Sequence, residues 1–381
     1  MRIVLLAQCI TESCIGVRDN RRYLSAAGRK KVLNLAAYLD ALGHEVTIVS
    51  NSYAKTSWPA SSETLGEHIS VVHSPTWAVG RLTPFRRGIA TLFALHWLAR
   101  HRAEVDLAII YNYHLEFALP ALWARRRHGL PFVLGYEDGL YLVRHYRSAL
   151  YRWIERAVYR ACSAVIYVNP QLRERLQACG VDKPGAVIHG YFNDADVSAL
   201  TPQPGSSREL LFAGNFSRGF GFDELLRYIE HCPDGWRLNV CGRGGPGETE
   251  AVRSHCAVHP RANYLGFVSD EKLAELRQRA AAVILLNDVD SEFNRTNFPS
   301  KLFDYLSAGK LIVCTRNPLL ADYAALDNML LLESIADDLP RLGERLPQHR
   351  FDADQVAALH QQILDTLRGV IDGVAPSRTE R

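Results

Sequence analysis

The segment Phe298-Pro299-Ser300-Lys301-Leu302-Phe303-Asp304-Tyr305-Leu306-Ser307-Ala308-Gly309 puts a lysine in the first turn of what reads as a helix. Proline suits a helix start, Ser300 suits a cap and Gly309 suits the end. A cation there faces the positive end of the helix dipole, which is mildly unfavourable unless an anion sits opposite and uses both charges. Spacings of three and four residues put Ser300, Lys301 and Asp304 on one helix face. A phosphate-reading cation beside a carboxylate fits the diphosphate and ribose hydroxyls of a nucleotide. A surface pair between Lys301 and Asp304 is the competing reading.

Two glycine-rich segments share that half of the chain. Gly214-Asn215-Phe216-Ser217-Arg218-Gly219 follows a predicted strand and precedes a helix, where open parallel sheets bind ligands. Its glycines let backbone amides approach an anion and Arg218 offers a bidentate grip on phosphate; a glycine turn with an exposed arginine is the alternative. Gly242-Arg243-Gly244-Gly245-Pro246-Gly247 matches G-x-G-x-x-G. Pro246 falls inside the turn and no acidic residue ends the next strand, so the segment reads as a loop beside a nucleotide base or as a plain turn. There is no phosphate-loop or serine-elbow motif. Asp288-Val289-Asp290, the sole acidic candidate for a sugar-nucleotide metal, reads as a solvated loop, and no metal or other cofactor is expected.

In the first half, His114 follows a predicted strand within Tyr111-Asn112-Tyr113-His114-Leu115-Glu116. It can donate a hydrogen bond to a sugar hydroxyl or phosphate oxygen, or be structural. Glu137 and Asp138, in Gly135-Tyr136-Glu137-Asp138-Gly139, end the next strand. They can act as a general base, bind acceptor hydroxyls or cap the following helix.

The elements that must position these residues alternate along the chain. Strands are expected at 2–7, 45–50, 106–111, 131–136 and 164–168, with helices at 25–42, 116–128 and 147–162. After a turn-rich linker at 201–207, strands at 209–213, 236–241, 282–286 and 310–315 alternate with helices at 222–231, 270–280 and 300–308. The fold class is therefore α/β, with two Rossmann-like, doubly wound parallel-sheet domains. Domain one spans 1–200 and domain two 201–350, and a helical segment in 351–381 is expected to pack back on the first.

With 381 residues and 48% hydrophobic content the chain is long enough for two cores. No apolar run reaches membrane-span length, and 3–7 is too short for a signal peptide, so a cytoplasmic location is expected. The eight cysteines show no C-x-x-C pair and read as reduced, mostly buried thiols. Residues 1–200 carry 24 Lys+Arg against 16 Asp+Glu, while the remainder is net acidic. Basic residues are interleaved with apolar and aromatic ones at 81–102 and 144–160, which points to an anionic membrane surface rather than nucleic acid, or to solvated helix faces.

Taken together these segments resemble the GT-B glycosyltransferases, most closely the family 4 retaining enzymes. The resemblance rests on Gly43-His44-Glu45-Val46, His114, Gly214 to Gly219, Gly242 to Gly247, Leu265-Gly266-Phe267-Val268-Ser269-Asp270-Glu271-Lys272-Leu273 and the Lys301 helix, in that order. It implies two domains facing a central cleft and transfer of a hexose-type sugar from a nucleotide diphosphate sugar to a glycan or lipid-linked acceptor. The first domain would take the acceptor and the second the donor. Arg218 would stand for the family's phosphate-binding lysine, Lys301 would contact the diphosphate, and Asp304 would replace the ribose-binding glutamate. Gly266, Phe267 and Val268 would frame the base, and His114 would touch the donor sugar or its phosphate. Asn215 stands where the family usually has arginine. Thr296 stands where it has its sugar-binding glutamate, a role that Glu292 or Asn297 would then take. Retention would need no protein base; inversion would use Glu137 or Asp138. The alternatives are a sugar-nucleotide epimerase and an inactive transferase-like scaffold.

Overall fold

The structure, a computed structural model, describes residues 1–18, 25–54, 56–77, 83–192, 208–217, 219–286, 295–346 and 349–374. The chain divides into two compact units, Met1–Ala195 with Gln361–Arg381, and Asp196–His360. The expected linker, 201–207, lies outside the described residues.

In the first unit the strands β1 (Arg2–Leu6), β2 (Glu45–Ser50), β3 (Ser61–Thr64), β4 (Ile69–His73), β5 (Leu107–Tyr111), β6 (Phe132–Tyr136), β7 (Ala164–Tyr167) and β8 (Gly185–Val187) form one sheet in the order β3-β4-β2-β1-β5-β6-β7-β8. Its helices include α1 (Glu12–Arg18), α2 (Ala26–Ala41), α3 (Thr83–His101), α4 (Leu115–His128), α5 (Ala149–Ala161) and α6 (Pro170–Ala178). Strands covered on both faces read as unbroken apolar runs, and Ile3, Val4, Leu5 and Leu6 of β1 are all buried. The Ser25 side chain accepts from the Gly28 amide to start α2, and Gly43, at φ +80°, follows its end. The sheet is parallel except at one edge, where β3 pairs antiparallel with β4. Ser61-Ser62-Glu63-Thr64 has no apolar alternation to reveal it.

The second unit has β9 (Glu209–Asn215), β10 (Arg237–Arg243), β11 (Ala262–Gly266), β12 (Ala282–Ile284), β13 (Leu311–Thr315) and β14 (Met329–Leu332), ordered β11-β10-β9-β12-β13-β14 and paired in parallel. Helices α7 (Phe222–Glu230), α8 (Pro246–Val258), α9 (Asp270–Arg279) and α10 (Lys301–Ser307) belong to the same unit. Its core brings Leu210, Phe212, Leu225, Leu238, Val240 and Ile284 together. The long C-terminal helix, Ala353–Asp372, ends with Asp372 within electrostatic reach of His44.

Both sheets reverse their strand order at one point. In the first, the chain builds outward from β1 through β2 and β4, then returns to β5 on the other side of β1; in the second, the reversal lies between β9 and β12. Loops leaving the carboxyl ends of strands diverge at such points and open a crevice for ligands. Among the described residues no helix is long and apolar enough to cross a membrane. The cysteines are free, and all but Cys179 are buried.

Candidate functional site

At the carboxyl edge of the second sheet, Lys301 meets Gly214 near the end of β9. The Lys301 ammonium donates to the Ala213 carbonyl and lies 5.6 Å from the centre of the Phe212 ring. A Cβ on Gly214 would fall 1.7 Å from Lys301 Nζ, so the missing side chain is what admits the ammonium. Burial pushes the lysine pKa down to about 8, and Asp304 on the same helix face opposes part of that fall. The expected Lys301–Asp304 proximity is thus present, but the ammonium is also desolvated against backbone.

The two glycine segments differ locally from expectation. Gly214 and Asn215 continue β9, and Gly242 and Arg243 continue β10, paired to each other rather than turning. A Cβ on Gly242, at φ +128°, would sit 1.8 Å from the Gly214 carbonyl oxygen, so close approach of two strand ends demands glycine there. Asn215 Oδ1 accepts from the Ser217 amide at 2.8 Å and closes an Asx turn that redirects the chain. Pro246 is not inside a turn: it is the first residue of α8, where a missing N–H costs nothing. Arg218, Glu292 and the Asp288–Asp290 pair lie outside the described residues.

The start of α10 is also corrected. Ser300 adopts right-handed helical angles and makes no side-chain cap; the Pro299 and Ser300 carbonyls instead accept from Leu302 and Phe303 in a tight first turn. The far end behaves as expected. Gly309, at φ +64°, lets the Gly309 and Lys310 amides bond back to the Leu306 and Tyr305 carbonyls. Thr296 and Phe298 are buried before the helix, and Asn297 between them is partly buried.

Gly266, at φ +68°, ends β11 beside a register shift against β10. It presents Phe267, 82% exposed, with the Arg243 guanidinium 5.7 Å from its ring centre, while Val268 is partly buried. An exposed aromatic face flanked by arginine at a strand's carboxyl end is a suitable platform for a planar base.

In the first unit His114 follows β5 beside the reversal point. Tyr146 Oη lies 3.0 Å from His114 Nδ1, and Arg87 donates to the same phenol. With Tyr146 as the donor, Nδ1 accepts and the imidazole carries its proton on Nε2, from which it can be donated. Burial holds the imidazole pKa below its ordinary value, so the ring is neutral at pH 7. Asp138 lies within electrostatic reach of it.

Glu137 and Asp138 separate in role. Glu137 is buried and ion-paired with Lys31 of α2, and burial raises its pKa. This carboxylate is committed to the sheet–helix junction and is a poor choice for a base. Asp138 accepts from Asn112 Nδ2 at 3.0 Å, while Asn112 Oδ1 accepts from the Glu137 and Asp138 amides at 2.9 and 3.2 Å. Asn112 achieves this at φ +57°, the one positive φ outside glycine among the described residues, a strained conformation of the kind that clusters at functional sites.

Nothing in the sequence sets apart Asn112, Lys31 or a polar group on the other side of β1. There His73 Nε2 meets Glu63 Oε1 at 2.8 Å and Thr11 Oγ1 at 3.0 Å, while Nδ1 meets Ser52 Oγ at 2.8 Å. Buried Arg18 donates to the Ser74 and Pro59 carbonyls. The residues come from 11, 18, 52, 63 and 73, and only the edge hairpin β3–β4 unites them.

Residues 27–191 match the glycosyl transferase 4-like domain, and residues 207–339 match the glycosyl transferases group 1 domain. A search of curated proteins gave no sequence match. Among solved structures, HepE from Anabaena in complex with UDP and glucose aligns with TM-score 0.62 and 17% identity, over 97% of this chain and 99% of its own. A lipopolysaccharide outer core galactosyltransferase, WaaB, aligns with TM-score 0.59 and 13% identity over 98% and 99%. Sucrose-phosphate synthase from Thermosynechococcus elongatus aligns with TM-score 0.58 and 15% identity over 98% and 96%. At these identities the neighbours establish the fold, two parallel-sheet α/β domains of GT-B type, and the two domain matches establish the family. The chain belongs to the glycosyltransferases, with a glycosyl transferase 4-like domain followed by a group 1 domain.

Proposed function

We propose that this chain transfers a hexose-type sugar from a nucleoside diphosphate sugar to a hydroxyl of a glycan or lipid-linked acceptor. Retention of anomeric configuration, no catalytic metal, and a role in surface polysaccharide or glycolipid synthesis at the inner membrane face complete the proposal. The observation that carries it is the Lys301 ammonium, desolvated against Gly214 at the reversal point of the second sheet. A lysine held at lowered pKa, with Asp304 opposing only part of that fall, gains from an arriving anion, and a leaving diphosphate develops such charge. Gly214, Gly242, Ser300 and Asp304 surround that position, and Phe267 offers the base platform. In the first unit, neutral His114 would donate through Nε2 to the sugar or its phosphate. A retaining path lets the departing phosphate oxygen take the acceptor proton. Should the reaction invert, Asp138 is the better base, because Glu137 is held by Lys31.

Membrane contact is supported by the basic first unit. Phe85 and Leu92 of α3 are exposed, as are Leu150 and Trp153 of α5, which share that helix with exposed Arg152 and Arg156, an interfacial mixture of apolar and cationic groups. Co-sedimentation with anionic but not neutral vesicles, lost in Leu150→Ser/Trp153→Ser, is the expected result.

The test of the main proposal is a panel of nucleoside diphosphate sugars. One donor should raise the melting temperature, by an amount corresponding to roughly 2.7 kcal/mol at a hundredfold excess over Kd, and Lys301→Ala should abolish the rise. Proton NMR of the first-formed product then reads the configuration, and turnover unchanged by chelator supports the metal-free path. An epimer formed from donor alone would replace transfer by epimerisation.

A further inference from the structure

The second unit carries, at the amino edge of its sheet, a cluster that the transfer chemistry does not use. We propose that Glu230, His255 and His259 form a binding site for a borderline divalent cation of the zinc class. His255 and His259 are one helical turn apart at the end of α8, with ring centres 5.2 Å apart. Glu230 ends the neighbouring α7, and its Oε1 lies 2.9 Å from His255 Nε2. One ligand atom from each residue lies within 4.8 Å of the other two. Three donors on a tetrahedral zinc, at about 2.0–2.1 Å from the ion, are roughly 3.4 Å apart, so rotamer adjustment of three solvent-accessible side chains closes the set.

Two further features favour a cation. The site sits where α7 and α8 both end, so the negative ends of two helix dipoles lie at it. The ligand set, two imidazoles and one carboxylate, suits zinc, cobalt, nickel or copper rather than magnesium or calcium. Both helices run from the carboxyl edge of the sheet, where Gly214 and Lys301 lie, back to the amino edge. A bound ion would therefore tie α7 to α8 away from that position, and the proposal is independent of the transfer reaction.

The test titrates Zn2+ into the full untagged chain by calorimetry, alongside His255→Ala, His259→Ala and Glu230→Gln. His68→Ala, an exposed histidine of the first unit, is the control. Wild type and the control should bind one equivalent with the same Kd, and each of the three variants should bind at least tenfold more weakly while keeping the metal-free melting temperature. Co2+ in place of Zn2+ should give visible bands without a thiolate charge-transfer band, since the cysteines are not ligands. Absence of saturable binding by the wild type overturns the proposal. So does an affinity that all three variants retain, or a thiolate band.

Discussion

Lys301→Met should make the ligand-free protein more stable while removing its response to donor. The fall of the ammonium pKa from its ordinary 10.5 to about 8 corresponds to about 3 kcal/mol of disfavoured charge in the folded state, at about 1.4 kcal/mol per pH unit. Methionine keeps the length of the side chain and carries no charge. The substitution also removes the hydrogen bond to the Ala213 carbonyl, which offsets about 1–2 kcal/mol. A net gain of about 1–2 kcal/mol is expected at pH 7.

The pH dependence gives a second signature. Below pH 8 the lysine is protonated in both folded and unfolded states, and the full penalty applies. Between pH 8 and about 10.5 the unfolded chain binds more protons, so wild-type stability rises with pH and the advantage of the variant shrinks. Calorimetric unfolding of both proteins at several pH values, following the transition of the second unit, measures the difference directly. A variant destabilised by more than about 1 kcal/mol at pH 7, with a difference that does not change up to pH 10, would show that the buried charge of Lys301 does not cost the fold stability.

Donor affinity should fall as the free lysine loses its proton, approaching tenfold per pH unit above 8, measured by calorimetric titration of the nucleoside diphosphate. Asn112→Gly and Asn112→Ala both lose the bonds to the 137–138 segment, but alanine also has to occupy φ +57°, so it should be less stable in urea than glycine by about 1 kcal/mol. Gly242→Ala drives a Cβ to 1.8 Å from the Gly214 carbonyl and should cost more than about 3 kcal/mol or prevent soluble expression, whereas Gly247→Ala, with open space around it, should be neutral. Lys31→Met leaves the buried Glu137 carboxylate unpaired and should cost about 3–5 kcal/mol, largely recovered in Lys31→Met/Glu137→Leu; melting temperatures of the three proteins check it.

Much of the fold was legible because buried parallel strands announce themselves as apolar runs. Glu45–Ser50 was delimited to the residue, and Ser25 and Gly43 marked the ends of α2 through their capping chemistry. The edge hairpin escaped, since Ser61–Thr64 is polar and exposed and pairs only on one side. For the site, the importance of Gly214 and Lys301 could be read from type and order, but not the reason for the glycine, which is the volume of an ammonium arriving from 87 residues away. Adjacent carboxylates such as Glu137 and Asp138 are indistinguishable in sequence; the partners that separate them, Lys31 and Asn112, come from other elements. Asn112 itself gave no local signal, because its left-handed backbone is imposed by bonds to the next strand's end. Glu230, His255 and His259 carried no signal as a group, because Glu230 joins the two histidines only through helix packing.

The most direct measurement is the structure of the chain bound to a nucleoside diphosphate. Lys301 Nζ is expected within hydrogen-bonding distance, about 3 Å, of a phosphate oxygen, with Asp304 toward the ribose and Phe267 against the base. A diphosphate seated elsewhere, with Lys301 still donating to Ala213 and Asp304 away from any sugar, would contradict this placement.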